Sequence, residues 1–148
     1  MDVLIFTEEV EGNREEVLSH IAEILLEKGF VKKGYKESLL EREKYFPTGL
    51  YVDEELKVAI PHTEVNFANK NVLVVVKPLN SVHFYRMDKP DVEIEVDIIF
   101  ALVIKDSHEY LKFLSKLTEN LTNEEFVKLI KTGNLENISA YIKNFISV

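Results

Sequence analysis

The 148 residues include 46% apolar and 30% charged side chains, a balance that fits one compact domain over 1–148 and argues against disorder. The formal net charge of −8, with its basic residues scattered, opposes binding to nucleic acid or to an anionic membrane surface. There is no cysteine, so disulfides and thiolate metal sites are excluded and a reducing cytoplasm is the expected compartment. No run approaches the ~18 apolar residues of a membrane span. The acidic start, MDVLIFTEEVEGNREE, lacks the basic n-region of a signal peptide.

In chain order, Asn13 and Glu16 form a capping pair. Val17, Ile21, Ile24 and Leu25 follow at helical spacing, and Gly29 closes the run. A second helix is expected over 35–45, with Tyr35, Leu39, Leu40 and Arg42, until Pro47 and Gly49 break it. Residues 46–55 read as a loop. The period then changes. Lys57–Ile60 is short and β-branched, Asn71–Leu79 contains the buried-strand run Val72–Val76, and Val82–Met87 alternates weakly. Ile94–Ile104 is mostly apolar and reads as one strand; with Asn71–Leu79 it is expected inside the sheet, covered on both faces. Helical patterns return after the capping pairs Asp106/Glu109 and Thr122/Glu125, with Gly133 as a stop and Asn134 opening a final helix. Helices, then strands, then helices predict a layered α/β domain with a central mixed sheet.

The chemistry-bearing residues are few. Of the four histidines, no pair has metal-ligand spacing, and no metal or cofactor is expected. His20 reads as a helix-surface residue and His83 as a structural strand residue. His62 lies in Val58-Ala-Ile-Pro-His-Thr, where a strand must stop. Pro61 has no N–H for the ladder, and it biases Ile60 toward extended geometry. A stiff strand end suits a nucleophile, with Thr63 beside it; a structural loop histidine fits the pattern as well. His108 falls in the first turn of the Asp106-capped helix, where the positive end and free N–H groups favour phosphate; a solvated turn residue is the alternative. Arg42 offers a planar fork for a phosphoryl group, or a surface salt bridge to its neighbours Glu41 and Glu43.

Four segments then carry a resemblance: Leu40-Glu-Arg-Glu, Phe46-Pro-Thr-Gly-Leu, Val58-Ala-Ile-Pro-His-Thr and Asp106-Ser-His-Glu-Tyr-Leu. In order and spacing the chain resembles enzyme IIA of the fructose–mannitol type (type 2) in the phosphoenolpyruvate sugar phosphotransferase system. The Pro-Thr-Gly-Leu and Pro-His-Thr variants are closest to galactitol-type members. The acidic Val52–Lys57 stretch departs from fructose-type members. Glu64–Lys70 lacks a histidine that galactitol-type members often carry. The resemblance implies an α/β/α sandwich. It implies that His62 is phosphorylated, that His108 is the second active-site histidine and that Arg42 supports transfer, with Thr63 a further phosphate contact. It implies HPr as donor and a cognate enzyme IIB as acceptor, with membrane enzyme IIC downstream. A phosphorylation-sensing regulatory module and a metal-dependent hydrolase are the rival functions.

Overall fold

The computed structural model describes residues 2–146. Its strands are β1 (Leu4–Val10), β2 (Gly49–Asp53), β3 (Leu56–Ala59), β4 (Val72–Pro78), β5 (His83–Tyr85), β6 (Glu93–Glu95) and β7 (Ile98–Val103). Its helices are α1 (Arg14–Glu27), α2 (Tyr35–Tyr45), α3 (Ser107–Asn120), α4 (Glu124–Thr132) and α5 (Leu135–Ile146). The main sheet has the order β1-β4-β7-β3-β2. It is mixed: β1 is parallel to β4 and β7 to β3, while β4–β7 and β3–β2 are antiparallel.

Alternation along the central strands explains the layers. Val72, Val74 and Val76 of β4 and Ile99, Ala101 and Val103 of β7 face one core, shared with Val17, Ile21 and Leu25 of α1 and Leu39 of α2. Leu73, Val75, Ile98, Phe100 and Leu102 face the other, shared with Phe113 and Leu117 of α3, Phe126 of α4 and Ile142 of α5. Each fully buried side chain of this kind contributes about 1.5–3 kcal/mol. Both faces of β4 and β7 are thus clamped by helices, and the expected α/β/α sandwich is what forms.

The helix ends obey local chemistry. Asn13 accepts from the Glu16 N–H and Glu16 reaches back to the Asn13 N–H, a complete capping box. Gly133 ends α4 at φ +72°, a conformation that favours glycine. One cap differs from expectation: Asn123, not Thr122, starts α4, its side chain accepting from the Glu125 and Phe126 N–H groups.

One strand was not anticipated, and two expectations need correction. The acidic start forms β1, an edge strand bonded only to β4; one free edge tolerates Thr7, Glu8 and Glu9, which hid the pattern. The expected loop over 46–55 contains β2, the opposite edge. The expected single strand Ile94–Ile104 is two strands. Its first part, β6, pairs with β5 in a separate small sheet. The chain changes sheets at Asp97, whose carboxylate accepts the Lys57 N–H (2.9 Å) and pairs with Lys131 (3.2 Å). Of this stretch, only β7 lies inside the main sheet.

The small sheet is tied to the large one at Gly49. Gly49 bridges to Arg86, and its carbonyl accepts the Met87 N–H at 2.7 Å. A Cβ at Gly49 would overlap the Tyr85 carbonyl, so the close approach requires glycine.

Candidate functional site

Topology brings three chain segments to one end of the sheet. β7 runs parallel to β3, so the start of α3 lies at the same end as the exit from β3. β2 runs antiparallel to β3, with Gly49 opposite Ala59, so the α2–β2 connection arrives there too. Pairing continues past the named strand: the Ile60 N–H donates to the Thr48 carbonyl (3.2 Å) and the Leu102 N–H to the Pro61 carbonyl (3.1 Å). Pro61 gives up a donor but keeps its acceptor in the ladder. His62 follows immediately.

Strand alternation then sorts the side chains. Ile60 packs in the α3–α5 layer, and His62, two residues on, contacts Tyr110 of α3 with ring centroids 5.2 Å apart and planes inclined by 49°. Thr63 takes the opposite face, where its hydroxyl bonds that of Ser38 on α2.

His62 is half-buried, and its Nδ1 lies 2.7 Å from the Ile60 carbonyl. A carbonyl only accepts, so Nδ1 carries the proton and Nε2 keeps a lone pair. Burial lowers the affinity of the ring for a second proton below the ordinary range; the Ile60 carbonyl opposes this, and the Arg42 charge adds to it. The ring is therefore neutral at pH 7, as nucleophilic attack requires.

Arg42 and Thr63 share an open pocket of about 290 Å³ beside Ser38, Tyr45 and Phe46. The Arg42 guanidinium lies over the Phe46 ring, 5.3 Å from its centroid. Its Nε is buried and has no hydrogen-bond partner among the described residues. Glu43 is engaged by Thr48 rather than by Arg42, and no ion pair of Arg42 with Glu41 or Glu43 is seen among the described residues.

Two residues at the site were not singled out from the sequence. Glu43 is buried, and its carboxylate accepts both the N–H and the hydroxyl of Thr48, each at 2.7 Å. Burial pushes its pKa up to about 7, against the two Thr48 bonds and the Arg14 charge. A series of hydrogen bonds thus runs from Glu43 through Thr48 and Ile60 to the His62 ring. The available signal was spacing: Glu43 falls four residues after the buried Leu39, on the covered face of α2. Tyr110 is the other. Its hydroxyl is buried with no hydrogen-bond partner, and burial pushes its pKa up to about 12 despite the Arg42 charge.

His108 is exposed on the first turn of α3. The free N–H groups expected there are partly taken: Asp106 accepts from the His108 N–H (2.9 Å) and the Glu109 N–H (3.0 Å). It is Tyr110, two residues later, that touches His62. His20 and His83 are both exposed, on α1 and β5; the His83 carbonyl accepts from Arg14 at 3.0 Å. No helix is long and apolar enough to cross a membrane among the described residues.

Comparison with known proteins gives a consistent answer. A galactitol-specific EIIA component of Escherichia coli (strain K12) is 31% identical over 134 residues, covering 90% of this chain and 88% of that protein. A mannitol-specific EIICBA component of Pasteurella multocida is 31% identical over 139 residues, 89% of this chain but 20% of that longer protein. Among solved structures, the complex of enzyme IIAMTL and phosphorylated enzyme IIBMTL from Escherichia coli superposes with a TM-score of 0.61 at 22% identity, covering 85% of this chain and 83% of that one. The family model described as "Phosphoenolpyruvate-dependent sugar phosphotransferase system, EIIA 2" matches residues 2–145, and the chain belongs to that family of phosphotransferases.

Proposed function

We propose that residues 1–148 act as one enzyme IIA unit in the cytoplasm, taking a phosphoryl group from HPr onto His62 and passing it to a cognate enzyme IIB. Membrane enzyme IIC would complete the transport step, with a galactitol-like sugar as the substrate class. The observation that carries this is the state of His62: a neutral ring at a strand end, its Nδ1 proton held by the Ile60 carbonyl and its Nε2 left with a lone pair.

Nε2 attacks the phosphorus of the donor's phosphohistidine. A P–N bond forms at His62 while the donor's P–N bond breaks, and that electron pair returns to the donor imidazole. The proton stays on Nδ1, hydrogen-bonded to the Ile60 carbonyl, and that bond steadies the positive charge the ring acquires. Little covalent work is left to the protein, which must align the group and neutralise its charge. Arg42 serves as the charge partner, with Thr63 as a further phosphate contact and His108 as a hydrogen-bond donor to the phosphoryl oxygens.

The test is labelling with phosphoenolpyruvate, enzyme I and HPr. His62→Ala should take up no acid-labile phosphate. His108→Ala should remain an acceptor but transfer roughly a hundredfold more slowly. Undiminished acid-labile label on His62→Ala would move the nucleophile elsewhere. Addition of galactitol-type IIB and IIC then tests the sugar.

A further inference from the structure

We infer that Tyr110 is a phosphoryl-binding residue, its hydroxyl donating a hydrogen bond to an oxygen of the phosphoryl group carried on His62 Nε2. The inference rests on His62 being the phosphorylated residue. It begins from an imbalance in the bonding. Tyr110 packs its ring on His62, 5.2 Å between centroids, yet its hydroxyl is buried with no hydrogen-bond partner among the described residues. The Arg42 Nε is in the same condition. The two flank neighbouring residues: Tyr110 touches His62, and Arg42 lines a pocket with Thr63, the next residue along the chain. Buried donors are nearly always paired, and an unpaired one calls for an explanation.

A phosphoryl group supplies the missing partner. It brings three acceptor oxygens to a place where unphosphorylated His62 presents one lone pair. With Nδ1 engaged by Ile60, the group must be carried on Nε2, the nitrogen directed away from the backbone. Tyr110 meets the ring from α3, while Arg42 of α2 lines a pocket with Thr63, the residue after His62. The Tyr110 hydroxyl keeps its proton at neutral pH, so it is a donor and adds no negative charge beside the phosphoryl oxygens.

An orphan hydroxyl alone would not suffice. Tyr35 has one too, but its side chain is sealed in the α1–α2 core with Leu39 and Val17. Tyr110 differs in being only half-buried and in touching the reacting ring. Tyr35 is therefore the natural control.

A donor that meets the group only after transfer stabilises the phosphorylated state more than the free one. Tyr110→Phe keeps the ring and removes the hydroxyl. In the phosphoenolpyruvate, enzyme I and HPr system, the equilibrium between phospho-HPr and the phosphorylated protein should shift toward phospho-HPr by roughly tenfold or more. The 31P resonance of the His62 phosphohistidine should move as well. The melting temperature of the unphosphorylated protein should hold or rise, since an unpaired group has been removed. Tyr35→Phe should change neither phosphorylated-state quantity. A second measurement needs no variant: in protein labelled with 13C at the tyrosine Cζ, the Tyr110 resonance should shift when His62 is phosphorylated. An unchanged equilibrium in Tyr110→Phe, or a Cζ resonance that does not respond, overturns the inference while leaving the carrier role standing. No label on the unaltered protein overturns the carrier role and the inference together.

Discussion

The two helical layers reach His62 from opposite faces of the sheet and meet it with opposite bonding. On the α2 face, polar groups are closed among themselves: Glu43 holds Thr48, and Ser38 holds Thr63. On the α3 face, Tyr110 lays its ring on His62 and leaves its hydroxyl unbonded. Arg42 is the exception on its own face, with Nε unbonded while the adjacent Glu43 is fully engaged. One set of residues sets where the imidazole stands. The other holds donors with no hydrogen-bond partner among the described residues. A site that must hold a group only between two transfers needs both.

Arg42→Ala is the strongest way to break this contrast. If the guanidinium is kept for the phosphoryl group, exchange should slow by about a hundredfold, while the fold loses little because no ion pair is cut. Arg42→Lys should recover part of the rate, since an ammonium lacks the planar fork. The same variant carries a pH signature. The charge of Arg42 helps depress the His62 pKa, so an NMR titration should find it raised in Arg42→Ala; burial is the larger cause, so it should stay below the ordinary 6.5. Rapid-quench rates equal to those of the unaltered protein would return Arg42 to the surface.

The Glu43 clamp should matter less to chemistry and more to stability. Glu43→Ala removes the acceptor of two buried bonds and should cost about 2 kcal/mol in urea unfolding. Glu43→Gln removes the charge and keeps one acceptor for the Thr48 N–H, its amide NH2 donating to the Thr48 hydroxyl instead of accepting from it. The folded-state pKa of Glu43, about 7, lies above the ordinary 4.5, so the folded protein takes up this proton first. The associated stability is full below about 4.5 and is lost as pH rises through 7. Unfolding free energies of the unaltered protein relative to Glu43→Gln should therefore fall from pH 4.5 to pH 8. A pH-independent difference would mean that the carboxyl is not held in a costly ionised state.

What the sequence made legible follows from how local each signal is. Asn13–Glu16, Asp106 and Gly133 announced helix ends because a cap is made by residues a few positions apart. The edge strands β1 and β2 were hidden, since one exposed edge relaxes the apolar pattern. The break at Asp97 depended on Lys57 and Lys131, each more than thirty positions away. The site divides in the same way. His62, with Pro61 before it and Thr63 after it, stood out as a strand end, and Arg42 as a guanidinium able to hold a phosphoryl group. Glu43 looked like a surface partner for Arg42, and Tyr110 was only one residue of the Asp106–Leu111 segment. Their parts appear only when Thr48 and His62 are brought beside them.

Gly49 has a consequence for how this end of the molecule opens. It starts β2, pairs with Ala59, and accepts the Met87 N–H, while the preceding Thr48 carbonyl accepts the Ile60 N–H. Two successive carbonyls therefore hold the small β5–β6 sheet and the strand end that carries His62. Neither can peel away without loosening the other. In native-state hydrogen exchange the Met87 and Ile60 amides should behave as one cooperative unit, opening with a shared free energy. The small sheet is far from the imidazole in sequence and offers it no side chain, yet it acts as a latch: the steadiness of the histidine is set partly by how firmly that latch stays shut.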